Sequence, residues 1–168
     1  MGIKLSIDSM HHIAIGNSEL ATIITCLNTD KRLGQFCAHL FDHPASEVRS
    51  AVAAISTLPL DELQCLASDP SIEVVRQVAN NNRALKYFGA PLLLKMIRRD
   101  VSVAAGIAGN LFWIRESVRR DVIDALLQHT DPAVVETTQT FVDDYDLEDT
   151  DFVDDIEDDD EALDEDQP

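Results

Sequence analysis

The chain has 168 residues, with 13 Lys and Arg against 31 Asp and Glu, and a formal charge of −18. That length suits one domain with an ample core, and the 45% hydrophobic share is ordinary for a globular chain, although aromatics reach only 5%. No apolar run approaches the roughly 20 residues a membrane helix needs, Met1–Ser6 lacks the layout of a secretion signal, and three cysteines (Cys26, Cys37, Cys65) cannot all pair within one chain; secreted, membrane-spanning and disulfide-stapled classes are excluded, and a reducing, cytoplasmic compartment is expected.

Residues 1–30 are read as an N-terminal cap and first helix. Ile3, Leu5 and Ile7 alternate over too short a run to choose between strand and loop. Met1-Gly-Ile-Lys-Leu-Ser6 matches the Met-Gly-x-x-x-Ser pattern of N-myristoylation, a pattern short enough to arise by chance. His11, His12, Cys26, Cys37, His39 and His43 supply metal-ligand atom types, but no Cys-x-x-Cys anchors them and Cys37 and His39 diverge on a helix, so no metal and no cofactor is expected. A buried thiol with surface histidines is the simpler reading.

From residue 31 a pattern recurs. Asp42-His-Pro-Ala-Ser-Glu-Val-Arg49 is matched by Asp69-Pro-Ser-Ile-Glu-Val-Val-Arg76, and further copies start at Asp100 and Asp131. The aspartates lie 27, 31 and 31 residues apart, a period typical of stacked repeats. Each unit reads as helix, tight turn, helix. The aspartate is placed to cap the next helix, and proline is tolerated in a first turn. Apolar stretches precede each turn: Leu33–Phe41, Leu60–Ala67, Leu92–Ile97 and Ile114–Leu127. Val48, Ala51, Val52 and Ile55 then share one helical face, as do Ile114, Val118, Val122, Ala125 and Leu126. Pro59 and Pro91 mark helix starts, Asn80–Asn82 a helix end, and Gly106 and Gly109 close-packing points. The fold expected is all-α, a short right-handed α-solenoid of about four helix pairs over 31–142.

The acidic groups gather at the end. Residues 143–168 hold 16 of them in 26 positions with no Lys or Arg, leaving 15 acidic against 13 basic residues in 1–142. Such a tail is expected to be disordered. It also disfavours nucleic acid as a partner, because binding phosphates relies on Lys and Arg. Phe141-Val-Asp-Asp144 recurs as Phe152-Val-Asp-Asp155, and Phe141, Tyr145, Phe152 and Ile156 fall at 4, 7 and 4 spacing. A segment that folds on docking to a basic protein has this look; the pattern equally suits a first copy that extends the last repeat helix and a second that only solubilises the chain.

No nucleophile motif or glycine-rich phosphate loop is present, so a non-enzymatic role is expected. Lys95, Arg98, Arg99, Arg115, Arg119 and Arg120 form a net-positive stretch, read as a solvated face or as a basic patch over which the tail folds back. Trp113 is expected to pack between repeats as a core anchor. On the second helices, Ser46, Glu47, Ser50, Gln77, Asn80 and Arg83 are the candidates for an exposed partner-binding face.

Asp-Pro, then Val-Arg, then an Ala-rich helix resembles the HEAT-like repeat superfamily. Val78-Ala-Asn-Asn81 and Ile107-Ala-Gly-Asn110 are similar to its leucine-rich-variant (LRV) branch. The resemblance covers about 31–142, and Ile107 and Thr138 stand where the last two copies would carry arginine. It implies an α-solenoid that binds partners and a structural role for Asp42, Arg49, Asp69 and Arg76 in tying one repeat to its neighbour. Some leucine-rich-variant proteins hold an iron–sulfur cluster through a compact cysteine group, which the wide spacing here does not support. Alkylpurine DNA glycosylases are built from similar repeats and use Trp, Arg and Asp, types found here at Trp113, Arg115 and Asp121; a base-excising enzyme or a DNA-mimicking decoy is the alternative to an interaction scaffold.

Overall fold

A computed structural model describes residues 3–6, 12–26 and 37–145. Most of these residues are helical. Two short strands, β1 (Ile3–Ser6) and β2 (His12–Ile15), pair antiparallel with Ile3 opposite Ile15 and Ser6 opposite His12. The helices follow as α1 (Asn17–Cys26), α2 (Ser46–Ala53), α3 (Leu60–Leu66), α4 (Ile72–Ala79), α5 (Asn82–Tyr87), α6 (Ala90–Ile97), α7 (Val101–Ala108), α8 (Glu116–Leu127) and α9 (Pro132–Asp144). Single 3-10 turns occur at Ala38–Leu40 and Leu111–Trp113. No described helix is long and apolar enough to cross a membrane.

The start of each principal helix sets the register. Ala45, Ser71 and Asp131, which precede α2, α4 and α9, have nearly the same extended backbone (φ/ψ −83/122, −81/123 and −87/120). Asp100 precedes α7, and its carboxylate accepts the Ser102 N–H. These positions differ from the 27, 31, 31 spacing of the aspartates. On the helix starts, His43 corresponds to Asp69, Asp69 to Arg98, and Arg49 to Val75. The expectation that each repeat aspartate caps its helix holds for Asp100 and Asp131. It fails for Asp42, which is exposed, and for Asp69, which lies two residues before the cap.

Two residues before the cap a second device appears. Asp69 Oδ1 accepts the Ser71 N–H at 2.8 Å. At the matching places His43 Nδ1 accepts from Ala45 N–H and His129 Nδ1 from Asp131 N–H, at 3.2 and 3.1 Å. An aspartate and two histidines thus close the same tight turn, as side-chain acceptors two residues upstream can.

The units contain more than a helix pair. Asn81 Oδ1 accepts the N–H groups of Arg83 and Ala84, so α5 starts as soon as α4 ends. The turn at Leu111–Trp113 occupies the same place between α7 and α8. Pro59 and Pro91 stand at the starts of α3 and α6, as the sequence predicts.

Packing follows an order of neighbours. Helix α1 contacts α2, α2 contacts α4, α4 contacts α7 and α7 contacts α9. On the other side α3 contacts α5, α5 contacts the Leu111–Trp113 turn, and α6 contacts α7 and α8. A single core runs between these sets, including Val48, Val52, Leu63, Val74, Val78, Leu93, Ile107, Val122 and Leu126. Full burial of such side chains stabilises by about 1.5–3 kcal/mol each before conformational entropy is subtracted. Gly106 permits a close approach: a Cβ there would lie 3.3 Å from Asn80 Oδ1 and 3.4 Å from Ala79 Cβ. Gly109 instead caps the C-terminus of α7, one residue past Ala108, with φ −71°.

Candidate functional site

The described chain offers three groups of polar or exposed residues whose geometry bears on function. The first is the joint between α2 and α4. Arg49 donates from Nε and one terminal nitrogen to the two oxygens of Asp69, at 2.7 and 2.9 Å, and from the other terminal nitrogen to the carbonyls of His43 and Pro44. Both side chains are largely shielded, at 12% and 6% exposure. Burial alone would raise the Asp69 carboxyl, but the Arg49 hydrogen bond, the Ser71 N–H and the nearby charges of Arg49 and Arg99 outweigh it and hold it below the usual carboxylate range. The Asp69 hydrogen bond raises Arg49 in turn.

Asn81, buried at the C-terminal end of α2, donates to the carbonyls of Ala53 and Ile55 at 2.9 and 3.0 Å while capping α5. It fastens the end of α2 to the next unit, and sequence reasoning missed this role. The signal was the Asn-Asn run, which was read only as a helix end.

Of the four residues expected to tie neighbours, Arg49 and Asp69 do so. Arg76 does not: it pairs with Glu73 on its own helix, because on the helix starts it is Val75 that corresponds to Arg49. Asp42 is exposed and makes no such tie among the described residues.

The second group is an open groove of about 390 Å³ across α1, α2 and α4. Its walls are small side chains, among them Ala21, Thr22, Thr25, Ser50, Ala51 and Ala54, with Glu47 and Gln77 at the α2–α4 side. The Thr22 and Thr25 hydroxyls are bonded back to the carbonyls of Ser18 and Ala21, leaving the floor weakly polar. Glu47, Ser50 and Gln77, three of the expected partner-binding residues, meet here, but Ser50 is buried in the α1–α2–α4 packing, which corrects its placement on an exposed face. Ser46 and Asn80 are exposed outside it, with Asn80 accepting from Asn110. Arg83 lies on α5 with its guanidinium over the Tyr87 ring. Phe152 and Ile156 lie outside the described residues.

The third group carries aromatics. Trp113 is 45% exposed and Phe112 50% exposed, which corrects the expectation that Trp113 packs between repeats. The reason is local: in the 3-10 turn Leu111 takes the inward position, and Ile114 follows it into the core.

The predicted basic stretch is broken up. Lys95 bonds Ser68 Oγ, Arg99 the Pro70 carbonyl, and Arg119 the carbonyls of Phe112 and Ile114. Arg98, Arg115 and Arg120 are exposed. The Arg119 contacts repeat those of Arg49 with His43 and Pro44, so this residue holds a turn.

Catalytic or metal chemistry gains little from this arrangement. No group of three or more His, Cys, Asp or Glu that could hold a metal occurs among the described residues; His11 lies outside them. Cys37 is buried, and that burial pushes its thiol up to about 11, away from the reactive thiolate. Burial and the adjoining Asp61 raise the Glu62 carboxyl, yet its buried Oε2 has no hydrogen-bond partner among the described residues. Trp113, Arg115 and Asp121 are exposed, and no hydrogen bond links them. No family model, no curated protein and no solved structure matches the chain.

Proposed function

We propose that the chain is a non-enzymatic protein-interaction scaffold of the cytoplasm. In this reading its helices stack as a short right-handed solenoid of HEAT-like, leucine-rich-variant type, and the acidic segment 143–168 docks on or regulates a basic partner. The observation that carries the reading is the groove across α1, α2 and α4. It is lined by small side chains, so a partner's backbone or helix can approach closely, and its formal charge is the carboxylate of Glu47. A basic segment fits this chemistry, and the excess of acidic groups in the whole chain would steer it in.

A base-excising enzyme is less well supported. Exposed Trp113 beside Arg115 favours it, while half of the expected basic groove is engaged with acceptors within the chain.

A photo-crosslinking residue at position 47, and separately at 77, tests the scaffold reading. Both are expected to capture the same basic protein from lysate, in a salt-sensitive way, and Ala54→Arg is expected to abolish capture without changing the melting curve. Capture that survives Ala54→Arg, or adducts that differ between the two positions, overturns it.

A further inference from the structure

Three of the six large hydrophobic side chains exposed among the described residues lie together where the Leu111–Trp113 turn meets the end of α9: Phe112, Trp113 and Tyr145. Trp113 meets Phe112 edge-to-face at 5.5 Å between ring centres; Phe112 lies 6.1 Å from Tyr145, and Tyr145 stacks on Phe141 at 4.5 Å. Four rings therefore form one continuous row, and an uncovered row of this kind is unusual on a soluble surface. Cations border it. The Arg119 guanidinium sits on the Phe112 carbonyl and Arg115 is exposed two residues past Trp113. Helix α5, which packs on the same turn, carries Arg83 and Lys86 against the Tyr87 ring.

The row ends where the acidic segment begins. Residues 146–168 hold 14 Asp and Glu and no Lys or Arg. Within them Phe152-Val-Asp-Asp-Ile156 repeats the layout of Phe141-Val-Asp-Asp-Tyr145, eleven residues on. The six residues between Tyr145 and Phe152 can span about 20 Å when extended, enough to turn back over the neighbouring rings. Tethering gives the segment a local concentration of order millimolar, far above that of a free competitor.

We infer that Phe152 and Ile156 of the same chain cover the Trp113–Phe112–Tyr145 row, with the flanking carboxylates facing Arg115, Arg119, Arg83 and Lys86. The inference rests on reading the acidic segment as a docking element and does not depend on the groove. It makes the chain its own first ligand: an external basic protein that binds the carboxylates would uncover the aromatic row.

Trp113 is the sole tryptophan, so its fluorescence reports on this surface in the full-length chain. Phe152→Ser with Ile156→Ser is expected to red-shift its emission and raise acrylamide quenching roughly twofold, as for a covered state that holds most of the population. Leu163→Ser is the control and is expected to change neither, and 1 M salt is expected to give part of the effect in the native chain. Far-UV dichroism checks that the double variant remains folded. Equal quenching of native and double-variant chains overturns the inference. Protection that is lost on dilution also overturns it, because the cover then comes from a second copy. Neither result touches crosslinking at positions 47 and 77, so the two readings fail separately.

Discussion

Between α2 and α4 the helices are joined by polar groups: Arg49 reaches Asp69, and Asn81 reaches back to the carbonyls of Ala53 and Ile55. Between α4 and α7 they are joined by the lack of a side chain at Gly106, with Ala79 and Asn80 against it and Asn110 bonded to Asn80. Helices α2 and α4 begin with a similar turn, whereas α7 starts from Asp100 with a more extended backbone (φ/ψ −163/149), so the packing of neighbours is kept while turn and joint chemistry are exchanged. The ionic joint is specific about its residue types, since a single truncation strands a buried partner. The close-packed joint is specific about volume.

Breaking the polar joint should cost most. Asn81→Ala leaves two carbonyls and two N–H groups without their partner, and we expect a loss of about 3 kcal/mol in urea unfolding. Asn81→Asp should recover none of this, because its second carboxylate oxygen would face the Ala53 and Ile55 carbonyls as an unpaired buried charge. At the other joint, Gly106→Leu should cost about 2 kcal/mol through overpacking. Gly106→Ala should change stability by less than about 0.5 kcal/mol, since its gain in helix propensity offsets a contact that the exposed Asn80 amide can relieve. Disrupting the turn device should cost less than disrupting either joint: His129→Leu removes one hydrogen bond and should cost about 1 kcal/mol, while His129→Asn should keep the turn and most of the stability. Equal losses for Leu and Asn would show that the ring acts by packing alone.

Much of the helical content was legible in the sequence. The face of Val48, Ala51, Val52 and Ile55 is buried as its spacing implies, and Pro59 and Pro91 stand at helix starts. The register was not legible, because the Asp-to-Arg match aligned Arg76 with Arg49 when the helix starts align Val75 with it. Two residue types can close one turn, so the histidines at 43 and 129 hid their equivalence to Asp69. The sheet pairing of Ile3–Ser6 with His12–Ile15 is not legible in the sequence, because four residues carry too little alternation. At the surface, the composition of the groove was half visible: Glu47, Ser50 and Gln77 were expected to be exposed together, but the contribution of α1 comes from a helix outside the repeating pattern. The exposure of Trp113 could not be read from its type, since a large aromatic is more often interior. Asp143 and Asp144, counted with the acidic tail, continue α9, so Phe141-Val-Asp-Asp144 extends the last helix, with Gln139 donating to Asp143.

The tie between Arg49 and Asp69 is the point at which the account is most exposed, and a double-mutant cycle tests it directly. Stabilities of the native chain, Arg49→Ala, Asp69→Ala and the double variant would be measured at neutral pH and in acid. Because Asp69 is held below its unfolded value, the stability it contributes is present above the ordinary carboxylate range and is lost as pH falls through the depressed folded value. The account predicts a coupling of about 2 kcal/mol at neutral pH that fades over that acid interval. A coupling within about 0.3 kcal/mol of zero at neutral pH would contradict it.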